Sequence, residues 1–294
     1  MADPNLNSAT LAESYGFAAA FLNSNPELKK LFALAVKQTW TSDMFTAKLR
    51  GTTWWKTHDQ NERNYLVSVA SDPATARQNM QQALTTIRQQ AAQMGLDVNN
   101  AAIAAKLQGL AYNQLAKGES NNQIQYELGS YLNVDPNHLL GDAGTQFDQL
   151  HQYAYSMGVN QGTSWYQNAV RKIEQGTGTL EDYKSQINKA AKAAYPQFST
   201  QIDGGQTIKD LASPYLSSMA QILEINPGTI NLTDPTIKNA LGYKDPTTGK
   251  VGSQPLWSFE QTLRNDPRWG KTQNAQDSAM QTAHKVLVDF GMGY

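Results

Sequence analysis

The sequence predicts an all-α protein, built from divergent helical hairpins in an array or multi-helix bundle, with room for one small β-hairpin in the C-terminal third. Three observations carry this expectation. Helix-start signals recur along the whole chain, as in Asn25-Pro26-Glu27, Ser71-Asp72-Pro73 and Thr179-Leu180-Glu181. Apolar residues then follow them at helical spacing. The apolar–polar alternation that marks strands is almost missing.

The elements follow in order. Asn7 to Leu22 reads as a first helix, Ala-rich around Tyr15, Phe17 and Phe21. At Asn25-Pro26-Glu27 the Asn can cap, the Pro suits a first turn and the acid favours the helix dipole. Leu28, Leu31, Phe32, Ala35 and Val36 continue that helix. The next begins at Thr41 and carries Phe45 and Leu49. Ser71-Asp72-Pro73 opens a long helix to about Met94, stopped by Gly95. Another covers about Asn100 to Lys117, ahead of Gly118. Helices are then expected at Ser120 to Leu132, Asp142 to Met157, Thr163 to Glu174, Thr179 to Ala194, Ile208 to Ile225 and Asp234 to Leu241. The last runs from about Asn274 to Phe290 and ends on Gly291. Leu241 to Leu256 is the one strand candidate, because Asp245-Pro246-Thr247-Thr248-Gly249 can turn between two short extended arms; a plain loop fits as well.

A phrase recurs within this pattern. A cap-type residue is followed four later by an apolar residue, then four later by Leu or Ile: Thr41-Phe45-Leu49, Ser120-Ile124-Leu128, Thr179-Tyr183-Ile187 and Pro255-Phe259-Leu263. The uneven intervals between copies argue against a strict solenoid. The first and last copies agree further, Phe45-x3-Leu49-Arg50-x4-Trp55 against Phe259-x3-Leu263-Arg264-x4-Trp269. Equivalent positions are therefore expected for Trp55 and Trp269. A boundary near residue 134 divides the chain into an N-terminal helical region, 1–134, and a C-terminal one, 135–294, each holding one Phe-Leu-Arg-Trp unit.

Composition narrows the functional classes. Apolar residues make up 40% of the 294 and charged residues 17%, so a core is affordable and the polar balance is uncharged Gln, Asn, Ser and Thr. With 24 basic against 25 acidic residues the net charge is -1, and no basic run exceeds two residues, which disfavours nucleic acid as main ligand. Mean hydropathy is -0.54, and no apolar run approaches the roughly 18 residues of a membrane span. The first residues lack a basic region followed by an apolar stretch, so no secretory signal is expected. With no Cys, neither a disulfide nor a thiolate site is possible.

Catalytic and metal chemistry find little to work with. His58, His138, His151 and His284 are not paired at ligand spacing, and solvated or structural roles fit them best. Glu119-Ser120 shares a Glu-Ser pair with lytic transglycosylases, but the rest of that motif is missing and Ser120-x-x-Gln123 is a capping box. Thr248-Gly249-Lys250 and Gly270-Lys271-Thr272 are fragments of phosphate-binding loops without their preceding glycine or strand. Neither an enzyme activity nor a cofactor is expected. The aromatic residues are the better signal. Trp40, Trp54, Trp55, Trp257 and Trp269, with Arg50 and Arg264, are the candidate anchors. Packing between hairpins is the first reading. Contact with a partner is the sharper one, because Trp and Arg are enriched in interface hot spots.

Three phrases carry a family resemblance. They are Asn25-Pro26-Glu27-Leu28 through Trp40-Thr41 to Trp55, Pro214 to Pro227 with Leu223-Glu224-Ile225-Asn226-Pro227, and Pro255-Leu256-Trp257-Ser258-Phe259 through Asp266-Pro267-Arg268-Trp269 into Asn274-Ala275-Gln276-Asp277-Ser278. In this order they resemble virion-associated proteins encoded among the structural and tail genes of actinobacterial tailed phages. The resemblance implies a structural virion component, synthesised in the host cytoplasm and bound to other virion proteins in several copies. It transfers no catalytic residue. The alternatives are a virion-carried peptidoglycan hydrolase, for which Glu119 is the nominee, and an assembly factor absent from the mature particle.

Overall fold

The computed structural model describes residues 21–22, 25–135 and 139–290. The first expected helix lies outside these residues except for Phe21 and Leu22, as do His138 and Gly291. Of the described residues, 74% are helical, and the sheet structure is one two-stranded hairpin in the C-terminal third. The all-α expectation and its small hairpin are both met. The chain divides into two compact units, Met1–Thr145 with Val170–Thr177, and Gln146–Ala169 with Gly178–Tyr294.

In the first unit, α1 (Pro26–Lys37) starts where Asn25 Oδ1 accepts the backbone N–H groups of Glu27 and Leu28 at 2.9 and 3.2 Å. It is followed by α2 (Ser42–Arg50), capped by Thr41, then α3 (Thr53–Thr57) and α4 (Gln60–Ser71). Phe21, Leu22, Leu28, Ala35, Phe45, Leu49 and Trp54 close into one core, with Leu66, Val67 and Ala70 of α4 laid against it. Helices α3 and α4 were not expected. In α4 the apolar residues Leu66, Val67, Val69 and Ala70 bunch together instead of recurring every three or four, and none is fully buried, so its periodic signal is weak.

Asp72 caps α5 (Pro73–Met94), and Asn100 caps α6 (Ala101–Tyr112), which packs against it. Beyond Tyr112 the helix widens into a π turn, Asn113–Lys117, and stops at Gly118 in the left-handed region. Ser120 and Gln123 form the expected capping box of α7 (Asn121–Tyr131). Two glycines here leave no space for a side chain. A Cβ on Gly95 would lie 2.1 Å from the Leu140 carbonyl oxygen, and one on Gly141 would lie 2.2 Å from that of Gln93. Both also have positive φ. Replacing either by Ala should cost more than about 2 kcal/mol in a urea titration. Gly205→Ala, with the same backbone sign and open space around it, should cost about 1 kcal/mol. Equal losses at all three sites would show that the close approach at 95 and 141 carries no weight.

Helices α8 (Gly141–Ser156) and α9 (Thr163–Glu174) contribute to both units. The second unit continues through α10 (Leu180–Ala194), a short 3-10 turn at Pro196–Phe198, and α11 (Ser199–Asp203), a single turn that the sequence did not announce. Next come α12 (Ile208–Leu223), a 3-10 turn at Pro227–Thr229 and α13 (Pro235–Leu241). Strands β1 (Tyr243–Lys244) and β2 (Val251–Gly252) pair antiparallel across the predicted turn, where Asp245 Oδ1 accepts the N–H groups of Thr247 and Thr248. Then α14 (Leu256–Arg264) packs on α12, with the Phe259 ring edge-on to Tyr215 at 5.0 Å. A 3-10 turn at Trp269–Lys271 leads into α15 (Gln273–Asp289).

All four recurring phrases hold in three dimensions. Their first residues occupy the N-cap position of α2, α7, α10 and α14, and Leu49, Leu128, Ile187 and Leu263, two turns on, are fully buried. A related run, Thr207-Leu211-Tyr215, with Tyr in place of the final Leu or Ile, opens α12 with its own capping box to Asp210.

Candidate partner-binding surfaces

The tryptophans separate into two groups. Trp54 is buried at the centre of the N-terminal core, edge-on to Phe21 at 5.2 Å and stacked on the His58 imidazole at 5.3 Å. His58 Nδ1 also lies 2.8 Å from the Trp54 carbonyl oxygen, so this histidine is a structural one. Trp55 is half-buried beneath the Arg63 guanidinium, 3.9 Å above its ring, and Arg63 donates to the carbonyls of Trp55 and His58. A cation over an aromatic face contributes about 0.5–1 kcal/mol at such a partly exposed place. Trp40 packs against the same core and donates from Nε1 to Gln38 Oε1 at 2.9 Å. Arg50 points to solvent.

In the second unit Phe259 and Leu263 are fully buried, but Trp257, on the same helix, is 67% exposed. Arg264 is exposed as well, and Trp269 is half-buried. Trp55 and Trp269 are not equivalent positions, contrary to the shared spacing. Trp55 lies within a helix, whereas Trp269 opens a 3-10 turn. The true correspondence runs through threonine. Thr52 donates its hydroxyl to the Leu49 carbonyl and accepts the Trp55 N–H; Thr272 does the same with Trp269 and Ala275. Both threonines are buried N-caps. The longer linker from Leu263 to Thr272 puts a different residue at the position of Trp55.

A second correspondence was invisible in the sequence. The Glu27 carboxylate accepts the N–H groups of Thr53 and Trp54 at 2.8 and 3.0 Å, at the start of α3. The Glu224 carboxylate accepts those of Gln273 and Asn274 at 2.8 and 2.7 Å, at the start of α15. Each unit thus clamps the helix after its Phe-Leu-Arg segment with a carboxylate from a distant element, where helix N–H groups and dipole both favour negative charge. Glu224 is also the C-cap of α12, at φ 52°, a left-handed conformation common at helix ends but costly for a non-glycine residue.

The backbone N–H of Thr53, then that of Trp54, holds the Glu27 carboxyl below its ordinary value of 4.5. A carboxyl lowered by folding adds stability above its unfolded pKa and loses it as pH falls through the folded one. Glu27→Gln should therefore lower the melting temperature at neutral pH, with the gap from wild type closing as pH falls below 4.5. A gap that stays constant with pH would show that the carboxylate charge does not matter.

The C-terminal helix presents a different kind of surface. In α15 only Ala275, in the clamped first turn, is buried. Met280 is 71% exposed and Phe290 74%, and Val286, Leu287 and Val288 are exposed too. Met280, Ala283, Leu287 and Phe290 recur at three- and four-residue intervals, which places them along one side of the helix. A helix stripe of this kind ordinarily faces a core.

The second unit also carries two adjoining grooves, of about 620 and 390 Å³, that share His151 and Tyr155 of α8 as a common wall. The His151 ring lies nearly parallel to Phe147 at 6.2 Å and tilted against Tyr166 at 5.5 Å. Trp165 and Tyr183 extend this aromatic seam edge-on at 5.5 Å. Burial raises the Tyr166 phenol above its ordinary value, so it stays neutral. His151 was expected to be solvated or structural; it is an exposed ring held by aromatic neighbours.

Glu119 is half-buried ahead of the Ser120 cap, with Oε2 sequestered and without a hydrogen bond. Among the described residues no group of three or more His, Asp or Glu is placed to hold a metal ion, and no helix is long and apolar enough to cross a membrane. No protein-family model, no curated protein and no solved structure matches the chain.

Proposed function

We propose that this protein is a non-enzymatic structural component of a tailed-phage virion, holding its place by binding other virion proteins. The observation that carries the reading is the exposed apolar stripe of α15, on a helix whose buried residue and carboxylate clamp both lie in its first turn. Burial of Met280, Leu287 and Phe290 would contribute about 1.5–3 kcal/mol each. Trp257 adds a large exposed aromatic of the type enriched in interface hot spots. The resemblance of three separate phrases to actinobacterial-phage virion proteins supports the same role.

Mass spectrometry of purified virions, with a map of the particle, tests it. The expected result is a stoichiometric component whose contacts bury at least about 1,000 Å² in total and include α15. Absence from purified particles would sink the virion role and leave an assembly factor. A zymogram on host peptidoglycan tests the hydrolase alternative, where Glu119→Gln would abolish clearing.

A further inference from the structure

The paired grooves beside His151 and Tyr155 have a chemistry of their own. Lys184 and Lys209 line the larger and Lys238 the smaller, and among the described residues no Asp or Glu lines either. Lys184 is partly satisfied, since its Nζ lies 2.8 Å from Glu181 Oε1 and 5.8 Å from the Tyr153 ring centroid. Lys209 and Lys238 are exposed. Between the cations stand aromatic faces, with Tyr155 39% exposed on the dividing ridge. Side-chain amides of Gln149, Gln152, Asn160 and Asn231 complete the walls.

This lining has three consequences. A ligand without negative charge would bring no counter-charge to the grooves, and a basic one would be repelled. The amides can donate to and accept from a peptide backbone. An extended chain sends successive side chains to opposite sides, as two grooves flanking one ridge require. Single-stranded nucleic acid also combines stacking with phosphate contacts, but it is bound by grooves that track many phosphates, and three lysines on a chain of net charge -1 make a poor track.

We propose that the paired grooves bind an extended acidic peptide segment of a partner protein, laid across the His151–Tyr155 ridge with its carboxylates toward Lys184, Lys209 and Lys238. This gives the virion-binding role a partner of defined chemistry, and it rests on that reading only for where the partner comes from. Binding by the isolated chain is measured separately from presence in the particle, so each can fail without the other.

The experiment pans a random peptide library against the full-length protein and titrates the enriched peptides by Trp165-sensitive fluorescence and amide chemical shifts. Enriched sequences should carry a clear excess of Asp and Glu, and their amidated Asn/Gln counterparts should bind at least about tenfold more weakly. The triple variant Lys184→Gln, Lys209→Gln, Lys238→Gln should lose a similar factor. Tyr155→Ala should weaken binding at temperatures well below the variant's own melting point, where the protein is fully folded. Overturning results are no enrichment, enrichment of neutral or basic peptides, undiminished binding to the lysine variant, or shifts confined to other surfaces. Tighter binding of oligo-dT or of an oligogalacturonate than of any acidic peptide would likewise reject a peptide as the occupant.

Discussion

Trp54→Ala should lower the unfolding free energy by about 3–5 kcal/mol, the usual cost of emptying a large aromatic site in a packed core. The ring fills the space between Phe21, Trp55 and His58, and its loss strips contacts from all three. Trp257→Ala, the same chemical change, should cost no more than about 1 kcal/mol, because that residue is two-thirds exposed. Urea midpoints of the two variants, taken side by side, make the comparison. If Trp257→Ala proved as damaging as Trp54→Ala, the exposed ring would have to belong to the fold, and its candidacy as an anchor would end.

Under the virion role proposed above, the double change Met280→Glu, Leu287→Glu should leave the melting temperature of the isolated protein where it was and remove the protein from assembled particles. Both side chains are exposed, so no core is disturbed. Two charges forced into an apolar contact, each replacing an anchor worth about 2 kcal/mol or more, correspond to a loss of affinity of at least about a hundredfold. Complementation of a gene-deleted phage, followed by particle mass spectrometry, gives the measurement. Wild-type incorporation of the double variant would mean that α15 does not dock, and Trp257 would then be the surface to test. A fallen melting temperature would instead show that the stripe packs within the chain.

The sequence made the helix starts legible because capping is local. Asn25, Thr41, Ser120 and Thr179 act on N–H groups two or three residues away, so a short window contains the whole interaction. The Asp245 turn was legible for the same reason. Helix α4 was not, since it is held by half-buried contacts with the N-terminal core and by packing on α5 and on the π turn some fifty residues ahead. The carboxylate clamps were hidden by distance. Glu27 reads as a first-turn acid, yet its partners are 26 and 27 residues ahead, and those of Glu224 are 49 and 50 ahead. The Trp55–Trp269 match misled because a linear spacing does not register a lengthened linker. Of the candidate anchors, Trp40, Trp54 and Trp55 meet in one core, while Trp257 alone among the tryptophans faces solvent outright. The grooves at His151 depend on side chains gathered from several helices, and no single segment announces them.

The π turn at Asn113–Lys117 sets the phase of everything that follows it. Along α6 the buried residues are Leu107, Leu110 and Ala111, at the three- and four-residue spacing of one helical face; the next, Ala116, comes five after Ala111. The widened turn absorbs one residue, about 100° of rotation, without turning the apolar face outward. A chain one residue shorter in this segment would close the turn to an ordinary α-helix and still deliver Gly118 and the Ser120 cap in the same orientation. The π turn is therefore the place where this helix can gain or lose a residue with its buried side kept in register, and length differences between relatives are expected to collect there.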